Sequence, residues 1–243
     1  MHKLNLLAGL PVALLLVVVG LPSRRALAAP SGSDCLIASA DVPEIHKGLL
    51  KGYLPDNAVP DSLQLLPPPP QLGQPEHALD DTVSRRSFPL PGTPRWNLAA
   101  ADADLGFPQA ASTFSCAIGA PISEEATPTL VMLLRRTLTD AGLSTYKAKN
   151  HYGRKRPFLE NGKPICSPED QAKLTTDPSY PSGHTAVGWA WALILSEMVP
   201  QRRNECQRRG LENFQAIRVY RLDLEAHRLP RDETRAVNDD LTE

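Results

Sequence analysis

Hydrophobic positions recur at helical spacing in two long segments, and no run alternates convincingly in the way a set of strands would. In TPTLVMLLRRTLTDAG, Leu130, Leu134, Leu138 and Ala141 make one stripe, with Thr127 at the N-cap position, Pro128 opening the helix and Gly142 as the stop. In HTAVGWAWALILSEMV, from His184 to Val199, apolar residues lie on every side, which predicts a central helix buried in a bundle and ended by Pro200. A third, polar segment, PQRRNECQRRGLENF, predicts a helix as far as Gly210. Between Leu54 and Pro94 the prolines, with Pro67 to Pro70 consecutive, exclude helix across much of the segment. An extended surface wrap is expected there, with Leu63, Leu65 and Leu66 to bury. The class is all-α: a helical bundle preceded by a proline-rich wrap.

The N-terminal residues stand apart from this pattern. Lys3 precedes a nearly unbroken apolar run from Leu6 to Leu21, and Ala26-Leu27-Ala28 has the small residues of a cleavage site, so residues 1–28 are expected to be a secretory signal peptide. Residues 29–243 then form a single domain, for which 42% hydrophobic content supplies one core. Export places the mature chain in the periplasm or outside the cell, with no membrane association after cleavage. In that oxidising setting Cys35, Cys116, Cys166 and Cys206 are expected to form two bridges, by any of the three pairings. Their spacing does not suit zinc, and no metal or cofactor is expected. The formal charge of −1 falls to about −4 once Lys3, Arg24 and Arg25 are removed, which argues against a nucleic-acid partner. Nine arginines between Arg202 and Arg235 alternate with acids and read as a solvated face.

Candidate chemistry concentrates at the start of the central helix. In DPSYPSGHT, Ser182, Gly183 and His184 occupy a first helical turn, where backbone N–H groups lack intrahelical partners and the helix dipole is positive. Gly183 allows close approach to the backbone, Ser182 adds a hydroxyl, and His184 can carry a proton. Upstream, Lys149 and Arg156 add two cations, and a planar guanidinium suits two phosphoryl oxygens. Lys147, Arg154 and Lys155 read as solvated neighbours. An oxyanion that needs a proton is the implied guest.

Lys-x6-Arg-Pro, from Lys149 to Pro157, followed by Pro-Ser-Gly-His, from Pro181 to His184, resembles the first two motifs of the phosphatidic acid phosphatase type 2 superfamily. More narrowly, LLPPPP at Leu65, AAADADL at Ala99, FSCAIGAPIS at Phe114 and SYPSGHT at Ser179 resemble the class A bacterial nonspecific acid phosphatases. The resemblance implies a periplasmic all-α enzyme that hydrolyses phosphate monoesters without a metal, with a homodimer open to it. It implies that Lys149, Arg156, Ser182 and the Gly183 amide hold the phosphoryl oxygens, that His184 protonates the leaving alcohol, and that a second histidine becomes phosphorylated.

That second histidine belongs to a third motif, Ser-Arg-x5-His-x3-Asp, which this chain lacks in register. After Gln215, Ala216 and Ile217 take the Ser-Arg places, Asp223 the place of the nucleophile and His227 that of the orienting aspartate. A shifted reading joins Arg221 with His227 and the late Asp232. The tail from about residue 216 is expected to be divergent and short of the family's closing helix, as a shift of reading frame would make it. Either activity survives, or a phosphate-binding protein without a nucleophile remains.

Overall fold

The structure, a computed structural model, describes residues 42–86 and 91–221, with residues 213–221 described as backbone. The expected signal peptide, Cys35, Asp223, His227 and Asp232 lie outside the described residues. A small antiparallel ribbon, β1 (Glu44–His46) and β2 (Leu49–Leu50), comes first. Eleven helices follow among the described residues: α1 (Ser62–Leu65), α2 (Pro75–Arg86), α3 (Pro94–Ala103), α4 (Gln109–Ser112), α5 (Ser115–Ile118), α6 (Pro128–Ser144), α7 (Tyr146–Tyr152), α8 (Pro157–Asn161), α9 (Gln171–Leu174), α10 (Gly183–Met198) and α11 (Arg203–Arg221). The class is all-α, and pattern reading did not foresee the short ribbon or the helices other than α6, α10 and α11. No described helix is long and apolar enough to cross a membrane.

The core forms where the periodic stripes meet. Leu134 and Leu138 of α6 pack with Val187, Trp191 and Leu195 of α10 and with Phe114 before α5. Leu134, Leu195 and Phe114 are wholly buried, and each such side chain contributes about 1.5–3 kcal/mol of transfer free energy. The Trp191 indole donates to the Leu134 carbonyl at 3.0 Å and meets Phe107 and Phe114 edge-on. The helix α10 is less enclosed than expected, since Leu193 and Met198 are exposed.

The two glycines read as helix stops behave differently. The helix α6 runs two residues beyond Gly142, and α11 continues through Gly210 to Arg221. Gly210 serves close packing: a Cβ there would lie 2.6 Å from the Cβ of Ala192 and 3.3 Å from the Gly188 carbonyl oxygen. At Gly142 an added Cβ would meet nothing within 4 Å. One substitution therefore has opposite signs at the two sites. Gly142→Ala is expected to stabilise by up to about 1 kcal/mol through helix propensity. Gly210→Ala gains the same propensity but overpacks the α10–α11 crossing at a cost of about 1–3 kcal/mol, so its melting temperature should fall. Paired thermal melts check the signs.

The proline-rich segment wraps, with a correction. The helix α2 occupies its middle, because Glu76 to Arg86 is free of proline and Pro75 sits at the helix start, where it is tolerated. Burial falls on Pro69 and Pro70, whereas Leu65 is 70% exposed and Leu63 is exposed as well. The wrap is tied down by polar contacts: the Tyr180 hydroxyl donates to the Pro67 carbonyl at 2.8 Å, and Asp140 accepts from the amides of Tyr53 and Leu54.

The cysteines and arginines also depart from expectation. Cys116 and Cys206 are free thiols, so two bridges do not form in this structure. Burial, then Glu205, pushes the Cys206 thiol above its ordinary value, as in an unreactive packed cysteine. Arg203 and Arg208 are exposed as expected, whereas Arg202 is half-buried and Arg209 buried. Arg202 donates to the carbonyls of Ala117 and Cys116, satisfying the end of α5, and Arg209 reaches Asp102 on α3.

Candidate active site

Local structure places the cationic residues. Lys149 lies in the last turn of α7, which Gly153 closes in a left-handed conformation at φ 57°. The chain reverses there, and Arg156 becomes the N-cap of α8, with Pro157 opening that helix. The returning loop is stitched alongside: Ser179 donates its amide to the Arg154 carbonyl and its hydroxyl to the carbonyls of Arg154 and Lys155. This pairing brings Arg156 against Asp177 and Pro178, immediately ahead of the Ser182 turn.

Lys149 and Arg156 are 3% and 5% exposed, and both converge on that loop. The ammonium of Lys149 donates to the Pro178 carbonyl at 2.6 Å and lies 3.9 Å from Oδ2 of Asp177. Arg156 donates from Nε to the Asp177 carbonyl at 2.7 Å, and from Nη2 to Oδ2 of Asp177 and to the Pro178 carbonyl. Buried cations need such compensation. Beside them, burial first and the Asp177 carboxylate second push the Tyr146 phenol above its ordinary value, with Arg156 acting the other way. The phenol therefore stays a donor.

The helix tip follows directly. Ser182 is the N-cap of α10, buried, its oxygen accepting from the Thr185 amide at 3.1 Å. Gly183 is half-buried, and a Cβ there would meet only the Thr145 hydroxyl oxygen at 3.8 Å. Packing among the described residues therefore does not demand glycine at this position, in contrast to Gly210. The Thr185 hydroxyl is buried without a hydrogen-bond partner among the described residues. His184, half-buried, sets Nε2 at 3.0 Å from the Ala103 carbonyl at the end of α3. A carbonyl only accepts, so this contact keeps a proton on Nε2. An apolar cavity of about 180 Å³ lies to one side and touches the cluster only at Ser182.

The structure thus joins Lys149 and Arg156 through one loop and continues that loop into Ser182, Gly183 and His184. Sequence reasoning missed Asp177, although its signal was an acid five residues ahead of Ser182, between the Lys-x6-Arg-Pro and Pro-Ser-Gly-His motifs. It also placed Arg154 in solvent, whereas Arg154 forms an ion pair with Asp80 of α2 at 3.0 Å, both side chains nearly buried. Lys147 is exposed as expected, paired with Asp61, whose carboxyl this hydrogen bond holds below its usual range. Of the degraded third motif, Ala216, Ile217 and Arg221 lie in the backbone of α11, and Asp223, His227 and Asp232 lie outside the described residues.

An all-α bundle with a Lys-x6-Arg-Pro loop laid against a Pro-Ser-Gly-His helix tip defines a class, and residues 127–222 match the PAP2 superfamily. A non-specific acid phosphatase of Providencia stuartii is 44% identical over 161 residues, covering 66% of this chain and 65% of that protein. The acid phosphatase of Zymomonas mobilis is 39% identical over 150 residues, covering 62% of this chain and 57% of that protein. A non-specific acid phosphatase of Salmonella typhimurium is 41% identical over 161 residues, 66% of this chain and 64% of that protein. Over these spans the chain is similar to the PAP2 superfamily and to bacterial non-specific acid phosphatases. The matches span somewhat under two thirds of the length of these relatives.

Proposed function

We propose that this chain is a secreted or periplasmic acid phosphatase that hydrolyses phosphate monoesters of broad specificity through a phosphohistidine intermediate. The observation that carries the reading is the convergence of two buried cations, Lys149 and Arg156, on the loop that leads into the α10 tip. Those cations, the Ser182 hydroxyl and the Gly183 amide would hold the phosphoryl oxygens, where preorganised donors stabilise the charge of a five-coordinate transition state. A histidine nitrogen would form the bond to phosphorus as the ester oxygen leaves, and His184 would give its Nε2 proton to that oxygen. Water then cleaves the phosphorus–nitrogen bond. The candidate for the attacking group is His227, and no step calls for a metal.

A second reading is favoured by one observation: Asp223 stands where the nucleophilic histidine belongs. A protein with this cation pair and no nucleophile would bind phosphate and vanadate without turnover, because loss of the covalent step costs orders of magnitude in rate and leaves ground-state binding in place. The two are separated by assaying an aryl phosphate at about pH 5 to 6, where a histidine acid is largely protonated, with chelator present. Turnover that His227→Ala abolishes supports the phosphohistidine reading. Vanadate binding with no turnover selects the second, and failure to bind phosphate or vanadate overturns both.

A further inference from the structure

The carboxylate of Asp177 stands among the groups named for phosphate, and the reaction as described gives it no part. Its Oδ2 is held by Arg156 and lies 3.9 Å from the Lys149 ammonium, so an oxyanion that reaches both cations necessarily comes beside it. The side chain is 26% exposed, and no described residue donates a hydrogen bond to Oδ1. An ionised carboxylate is an acceptor only. A fully ionised oxyanion oxygen placed against it is repelled, whereas a P–OH group donates to it in a short charge-assisted bond.

We propose that Asp177 is a specificity residue of the oxyanion site, its Oδ1 accepting the proton of a monoprotonated phosphoryl group. The site thereby takes protonated phosphate in preference to the phosphate dianion or to sulfate. This rests on the reading that Lys149 and Arg156 hold phosphoryl oxygens. It also gives a reason for working in acid that is separate from the protonation of His184, since monoesters keep that second proton only below about pH 6.

Among the described residues, three charged or titratable side chains are seen to interact with Asp177. Arg156 faces it from the α8 N-cap, and Lys149 and Tyr146 face it from α7. The two cations stay charged and the phenol stays neutral from about pH 5 to 8. On α10, His184 is tied to the Ala103 carbonyl at 3.0 Å. Sulfate stays a dianion across this range, so any pH dependence of its affinity comes from the protein, and the additional dependence seen with phosphate belongs to the ligand proton.

The test is calorimetric titration of the full chain with inorganic phosphate and with sulfate, at about pH 5 and about pH 8 and constant ionic strength. Wild type should bind phosphate about tenfold or more tighter than sulfate at the lower pH, with that margin shrinking at the higher. In Asp177→Asn, whose amide can donate, sulfate should tighten by about tenfold and the margin should close. Equal affinity for the two anions at about pH 5 in wild type, or an unchanged margin in the variant, overturns the proposal. Should circular dichroism show the variant unfolded, the wild-type margin alone decides. A wild type that binds neither anion instead overturns the phosphate-site reading itself, a result distinct from binding both equally.

Discussion

Arg209→Ala is expected to lower stability by about 3–5 kcal/mol, the largest loss from any single change considered, because it strands a buried carboxylate. The Asp102 side chain has no exposure, and Arg209 grips it with both terminal nitrogens while its Nε donates to the Thr113 carbonyl at 3.0 Å. The guanidinium also lies over the Phe114 ring, 5.3 Å from its centroid. Without it Asp102 must either stay charged in a dry site or take up a proton, and either route destabilises the folded state. Asp102 directly precedes Ala103, whose carbonyl holds His184, so the same change should loosen the imidazole. Urea unfolding reads the first effect. The double replacement Asp102→Leu with Arg209→Met should recover most of the loss, since an apolar pair of similar volume removes the uncompensated charge. A loss below about 1 kcal/mol for Arg209→Ala would mean the pair is hydrated in solution.

Much of this was legible in the chain, for reasons that also explain what was not. The helices α6 and α10 announce themselves because their apolar residues repeat at helical spacing, and spacing reports which face is buried. It does not report what a charged residue pairs with. Arg202, Arg209 and Arg154 therefore resembled a solvated set, although each satisfies a specific carbonyl or carboxylate. Gly210 carries the same ambiguity: glycine ends a helix or lets another helix approach, and only the position of Ala192 on α10 decides. Lys149, Arg156 and the Ser182 turn could be read because cations and a helix tip share one preference, for an oxyanion. Asp177 opposes that preference, and its role appears only when the folded loop sets it between the two cations.

The same cluster yields the largest functional effect. Arg156→Ala should weaken phosphate or vanadate binding by about 10²–10³-fold, since truncating one member of a buried hydrogen-bonded charge pair costs about 2–5 kcal/mol. Removing the guanidinium leaves Lys149 and Asp177 facing each other, and the formal charge of the three groups falls from +1 to zero. An oxyanion would then meet no net attraction. Arg156→Lys keeps the charge but not the fork that spans the Asp177 carbonyl, its carboxylate and the Pro178 carbonyl, so it should recover only part of the loss. Lys155, exposed beside it, supplies the control: Lys155→Ala should change affinity by less than about twofold. Each variant is first shown to be folded by circular dichroism and then titrated with vanadate. Comparable losses from Arg156 and Lys155 would mean that general positive charge attracts the anion, whereas loss confined to Arg156 assigns it to one guanidinium held in place by Asp177.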